Sequence, residues 1–160
     1  MTTNLKPERP RITVASIIEE NGRFLLVEEE RNGRLVLNQP AGHLEHGESL
    51  IEATIRETRE ETGWHFTPES LLGMYQNEST ALNLTYIRFA FRGTATPPVG
   101  SPQLDEGIVR AVWMTLEEIQ TEHARLRNPL VLRCIHDWRK GQSYPLDWLP
   151  QGSDPSLTGP

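Results

Sequence analysis

From Gly42 to Trp64 the chain reads GHLEHGESLIEATIRETREETGW, a glycine-bearing loop running into a segment that carries the signals for both ends of a helix. Ser49 has the chemistry of an N-cap. Glu52, three residues on, completes a capping box in which side chains satisfy the free N–H groups of the first turn. Gly63 stands where a left-handed residue closes a helix. The spacing predicts a helix over Leu50–Thr62. Glu57, Glu60 and Glu61 fall at i, i+3 and i+4, so three carboxylates share one face within a turn. Leu50, Ile51, Ile55 and Thr58 are expected to turn toward a core.

The trio lies in the last turns of this helix, where the helix dipole disfavours anions by about 0.3–1 kcal/mol each. The three also repel one another, and Arg56 and Arg59 offset only part of this. An arbitrary glutamate-rich helix face is most often just solvated. A close trio at a helix C-terminus makes better chemical sense with a hard divalent cation among the oxygens, Mg²⁺ or Mn²⁺ rather than zinc. Glu57 and Glu61 project in nearly the same direction and are the first candidates for metal ligands. Glu60 is either a ligand or the base that orients water.

Gly42, five residues, Glu48, seven residues and then Arg56-Glu57-Thr58-Arg59-Glu60-Glu61-Thr62-Gly63-Trp64 resembles the signature box of the Nudix hydrolases, enzymes of nucleoside diphosphates linked to another moiety. A chance match at this spacing is on the order of one in a million from average residue usage, too rare to be set aside. The resemblance implies an α/β fold, an α/β/α sandwich around a mixed β-sheet, and a Mg²⁺ or Mn²⁺ cofactor. It adds the Gly42 carbonyl to the ligand set of Glu57, Glu60 and Glu61. It pairs Glu48 with Arg56 to orient the ligating carboxylates. It also points to Asp105-Glu106-Gly107 for a further carboxylate, with Glu106 the candidate base beside Glu60 and Glu61; a turn glutamate is as often simply solvated. Thr58, in place of an aliphatic residue, and the bulky Trp64 depart from the box at packing positions.

A formal net charge of −6 weighs against a broad basic surface for nucleic acid. A phosphorylated small molecule is compatible with the acidic run at 57–61 only if a cation inverts the local field. No run of the sequence is long and apolar enough for a membrane span, and residues 1–10 lack the apolar region of a signal peptide, so a cytoplasmic location is expected. Cys134 is the only cysteine; it excludes an internal disulfide and suits a buried small hydrophobe on a helix. Residues 1–150 are expected to form one Nudix domain, residues 151–160 a disordered tail, and the chain a monomer.

Along the chain, Arg11–Glu19 and Arg23–Glu29 read as strands joined by an Asn21-Gly22 hairpin turn. The apolar run Phe24–Val27 calls for burial on both faces, with Glu28, Glu29 and Glu30 as a solvated end. Leu35–Leu37 is a short strand that Pro40 interrupts. His43 and His46 are expected to serve loop hydrogen bonding rather than a hard-cation site. Leu71–Gln76, Leu84–Phe91 and Ile108–Met114 complete the strands, with a loop over 94–103. Thr115 and Glu118 form a second capping box, and Asn128-Pro129 opens a last helix through Lys140. Asn38, Gln39, Tyr86 and Arg88 are the candidates for gripping substrate, although an aromatic on a central strand such as Tyr86 is more often core.

Three further segments, NQPAGHLE at 38–45, LRNPLV at 126–131 and GQSYPL at 141–146, are similar to a subgroup of small bacterial Nudix phosphatases. That likeness implies phosphate release from nucleoside tri- and diphosphates, and action on the hydroxymethylpyrimidine pyrophosphate of thiamine biosynthesis. An ADP-ribose or nucleotide-sugar pyrophosphatase is the alternative, disfavoured because the proline expected after the box is missing from 77–84. A non-catalytic nucleotide-binding domain of the same family is disfavoured by the presence of every box carboxylate.

Overall fold

The computed structural model describes residues 9–150, so the tail expected at 151–160 lies outside the described residues. β1 (Arg11–Glu20) and β2 (Arg23–Arg31) form the first hairpin. Its turn residues, Asn21 at φ 52° and Gly22 at φ 81°, are both left-handed, the geometry that matches strand twist in a two-residue turn. β3 (Arg34–Asn38) follows a second Asn-Gly turn, and β4 (Ala41–His43) leads into α1 (Leu50–Thr62). β5 (His65–Ser79), β6 (Leu84–Thr96), β7 (Ile108–Thr115), α2 (Leu116–Thr121) and α3 (Leu130–Arg139) complete the order. β5 begins six residues before the strand expected at Leu71, and absorbs Pro68 at a register shift. β6 likewise runs into the expected loop.

β1 and β2 pair only beside their turn, through Glu19 with Phe24 and Glu20 with Arg23. Beyond it they part. β1 takes β4 as antiparallel neighbour and β6 as parallel neighbour, while β2 takes β3 and β7, both antiparallel. The seven-stranded mixed sheet is therefore splayed, and the chain crosses the split at Asn38–Ala41, where Pro40 ends one ladder before the next begins.

Strand alternation divides the apolar residues between two layers. Ala15, Ile17, Phe24, Leu26, Tyr75 and Ala90 pack with Ile119 of α2 and with Leu130, Val131, Cys134 and Ile135 of α3. Val14, Ile18, Leu25, Phe66, Leu71 and Phe91 pack on the other side with Ala53 of α1. This is an α/β/α arrangement around a mixed sheet. No helix among the described residues is long and apolar enough to cross a membrane.

One expectation is corrected. Glu28 and Glu29 are not a solvated strand end: both are buried, and each is held by arginine. On α1, Leu50, Ile51 and Ile55 pack against the core and Thr58 is fully buried, as expected, and Ala53, Thr54, Glu57, Glu61 and Thr62 are buried as well. Short side chains let the helix lie close to the sheet. The hydroxyls of Thr54 and Thr58 donate to the carbonyls one turn back, and Thr58 meets Ser16 of β1 at 2.8 Å, which explains a threonine at an aliphatic position. Trp64 seats edge-on against Trp113 of β7, with ring centres 5.1 Å apart.

Candidate active site

Both ends of α1 follow the sequence. The Ser49 side chain accepts from the Glu52 amide, the Glu52 carboxylate accepts from Ser49, and Gly63 closes the helix at φ 75°. The helix is thereby fixed in register against β4, and this aims its carboxylates at the strand. A Cβ built on Gly42 would fall on the Glu57 carboxylate, so that carboxylate occupies the space a side chain at 42 would need.

Arg56 organises the acidic face. Its Nε and Nη2 donate to the two oxygens of Glu48 at 2.9 and 2.7 Å, and Nη1 donates to Glu57 at 2.9 Å and Glu60 at 3.0 Å. Nη2 also reaches the His43 carbonyl at 3.0 Å, tying the helix to the loop. The bidentate contact holds the Glu48 carboxyl below its usual range, and the arginine is correspondingly stabilised as a cation. The Glu48–Arg56 pair expected from the resemblance is present.

The acidic trio does not act as one unit. Oxygens of Glu57 and Glu60 converge with one of Asp105, all within 4.8 Å of one another. The Asp105 amide donates to the Glu60 carbonyl at 3.0 Å, which ties this turn to the end of α1. Glu106, an exposed turn residue, is not part of this group, and the carboxylate brought to it from outside the box is that of its neighbour Asp105. Two adjacent carboxylates in one turn gave no periodicity by which to choose between them. Glu61 faces the Ala41 amide at 3.5 Å, and burial, with the field of Glu57, raises its carboxyl to about 9. Burial also raises Glu57, against the opposing pull of Arg56.

A cleft of about 630 Å³ opens beside this face. Glu57, Glu61 and Gly42 line one side, and Arg31, Arg88 and Arg127 contribute cations elsewhere in its wall. Asn38, Tyr86 and Arg88, expected to grip substrate, all line it. Gln39 does not: it is fully buried, donates to the Val131 carbonyl at 2.8 Å and accepts from Arg88 at 3.3 Å. Its part is to hold Arg88 in place. Sequence reading missed Glu29, Arg31 and Arg127, which meet across strand and loop: Glu29 accepts from Arg31 at 3.0 Å and from Arg127 at 2.9 Å. The Glu28-Glu29-Glu30 run was the available signal, because the burial that sets Glu29 apart follows from β2 being covered by β3 and β7. His43 lines the cleft too, exposed at its mouth, with its pKa lowered by partial desolvation and by Arg11, Arg127 and Arg31; His46 is exposed on the loop.

The Nudix domain family matches residues 7–134. The chain belongs to the Nudix family. It is 36% identical over 151 residues to the phosphatase NudJ of Escherichia coli, a match covering 94% of this chain and 97% of the relative. The solved structure of a Nudix hydrolase from Nitrosomonas europaea superposes with a TM-score of 0.87 at 47% identity, covering 89% of this chain and 97% of that one. A MutT protein from Methanosarcina mazei superposes at 0.66 with 28% identity, over 85% of this chain and 99% of its own. The chain is a Nudix hydrolase, and the acidic face of α1 is the part of the fold that carries the Nudix box.

Proposed function

We propose that this Nudix hydrolase uses Mg²⁺, or Mn²⁺ in its place, to cleave phosphoanhydride bonds of nucleoside tri- and diphosphates and of related organic pyrophosphates, releasing phosphate. The observation that carries the reading is the meeting of Glu57, Glu60 and Asp105 at the edge of a cleft whose wall also bears arginines. The donor set fits a hard divalent ion: all oxygens, closely spaced, half desolvated, and with Gly42 kept bare to make room for one of them. Likeness to the phosphatase NudJ over nearly the whole chain supports terminal phosphate release.

Glu57, Glu60 and Asp105 would hold the ion, with the Gly42 carbonyl and Glu61 as further oxygens beside them. When bound, the ion neutralises phosphate oxygens and lowers the pKa of bound water. Arg56 keeps the carboxylates of Glu57 and Glu60 aimed, itself braced by Glu48. Glu61 is assigned the attacking water, because its carboxylate lines the cleft beside Glu57 and Gly42, within reach of the proposed ion. Arg31 and Arg127 face the phosphate chain, where charge is spread over several oxygens.

The test is phosphate release from a nucleoside triphosphate and then from the diphosphate, with added Mg²⁺ and with chelator. Loss of activity with chelator and in Glu57→Gln, with the fold retained, is the expected result. Full activity in either case sinks the assignment. An ADP-ribose or nucleotide-sugar pyrophosphatase would instead release two organic phosphates, so product analysis separates the two readings.

A further inference from the structure

Glu29 is buried in the wall of the cleft, 5% exposed, with one arginine on each of its carboxylate oxygens. Arg31, two residues on in β2, donates through Nε to Oε2 at 3.0 Å, and Arg127, from the connection before α3, donates through Nη1 to Oε1 at 2.9 Å. The connection is pinned so as to bring Arg127 there. Leu126 forms a parallel bridge with Leu37 of β3, and the Arg127 amide donates to the Leu37 carbonyl at 2.9 Å. Glu28, next to Glu29 on β2, faces the other side of the sheet, where it meets Arg125 in a separate cavity against α2.

We infer that Glu29 is a positioning residue for the polyphosphate chain: it holds Arg31 and Arg127 side by side, one on each oxygen, so that their remaining N–H groups meet phosphoryl oxygens together. Beyond Glu29, neither guanidinium has a hydrogen-bond partner among the described residues. Each guanidinium carries five N–H donors, so most of each fork is left for a ligand. Stability alone does not call for this arrangement, since a buried ion pair contributes little net once its desolvation is counted. One carboxylate against two cations leaves the group with positive charge in excess, in a cleft whose other side carries Glu57 and Glu61. Without Glu29 the two like-charged side chains repel one another and must be ordered anew by each ligand, at a cost in affinity. This inference rests on the cleft being the phosphate site of the proposed hydrolase.

The sign of one substitution tests it. By charge alone, Glu29→Gln takes a negative group out of the cleft and should tighten the binding of an anion. By positioning, the same change frees an arginine and should weaken it. Isothermal titration of the full chain with methylenediphosphonate and Mg²⁺ reads the difference with no P–O–P bond to break. Glu29→Gln should raise Kd at least about tenfold, the worth of a lost charge-assisted hydrogen bond. Glu28→Gln, which disturbs the corresponding pair on the other face, should leave Kd unchanged. With Arg31→Ala and Arg127→Ala already in place, Glu29→Gln should raise Kd no further. Unchanged or tighter binding in Glu29→Gln, an equal loss in Glu28→Gln, or the same loss in the arginine-free background overturns the inference, as does a wild type that does not bind the diphosphonate. If Glu29→Gln does not fold, the wild type still decides: the side-chain Nε–H signals of Arg31 and Arg127, assigned through their lysine variants, should both shift during the titration, and unshifted signals overturn the inference. Diphosphonate binding as expected without phosphate release would fail the proposed reaction and keep the inference; release with unweakened binding in Glu29→Gln would do the opposite.

Discussion

Gly42 is the position where one atom matters most. The carboxylate of Glu57 fills the volume beside its Cα, so Gly42→Ala should push that carboxylate out of the cluster with Glu60 and Asp105. A displacement of about 1 Å at a reacting centre can cost about 10²-fold in rate. The expected outcome is a loss of kcat on that order with an unchanged far-ultraviolet circular dichroism spectrum. A variant with wild-type kcat would show that Glu57 does not need its present place. Arg56 makes a second residue-scale prediction. Lysine keeps the charge but cannot span Glu48, Glu57, Glu60 and the His43 carbonyl from one planar group. Arg56→Lys should therefore lower kcat and weaken Mg²⁺ activation together, read from metal titrations of the rate. Equal loss in Arg56→Lys and Arg56→Ala would support the planar-fork account, whereas full activity of the lysine variant would reject it.

At the scale of elements, α1 was the most legible part of the molecule, because its capping box, its C-terminal glycine and its charge spacing are all local. Which of its residues lie deepest was less legible. Leu50, Ile51 and Ile55 pack against the core as their hydrophobicity predicts, but the most deeply buried residues are Ala53, Thr54 and Thr58, the hydroxyls of the two threonines being satisfied within the helix or by Ser16. Hydrophobicity alone cannot reveal a polar residue whose partner is 42 positions away. That pairing can be measured. Thr58→Val should destabilise the fold by about 1–3 kcal/mol, because it leaves the Ser16 hydroxyl buried without its partner. Ser16→Ala combined with Thr58→Val should recover most of the loss, since neither polar group then remains. Denaturant unfolding of the four proteins checks this, and additive losses in the double variant would reject it. Asp105 illustrates the same limit: the turn was readable, but the choice between residues 105 and 106 depended on a backbone hydrogen bond to Glu60 across the fold.

For the molecule as a whole, the order of strands was the least legible feature. The sequence signals hairpins at both Asn-Gly turns, but nothing local says that β1 leaves β2 for β6 and β4, or that β2 is then enclosed by β3 and β7. That enclosure converts the expected solvated run at 28–29 into buried ion pairs. Glu28 accepts from Arg125 at 2.7 Å and lies 3.5 Å from Arg110, so one carboxylate of β2 joins β7 to the 3-10 turn at His123–Arg125. The hydrogen bond from Arg125 holds the Glu28 carboxyl below its ordinary 4.5, more than offsetting the opposing effect of burial. A carboxyl lowered on folding contributes stability that is fully present above its unfolded pKa and is lost as pH falls through the folded value. Arg125→Met should therefore unfold at lower urea concentration than the wild type near neutral pH, by about 1–3 kcal/mol, because Glu28 stays buried with only Arg110 beside it. The difference should shrink as pH is lowered toward about 3, where Glu28 is protonated in the unfolded chain and the pair no longer favours the native state. A difference that stays constant across that range would mean that Arg125 stabilises the fold through packing of its aliphatic stem, and not through the charge it shares with β2.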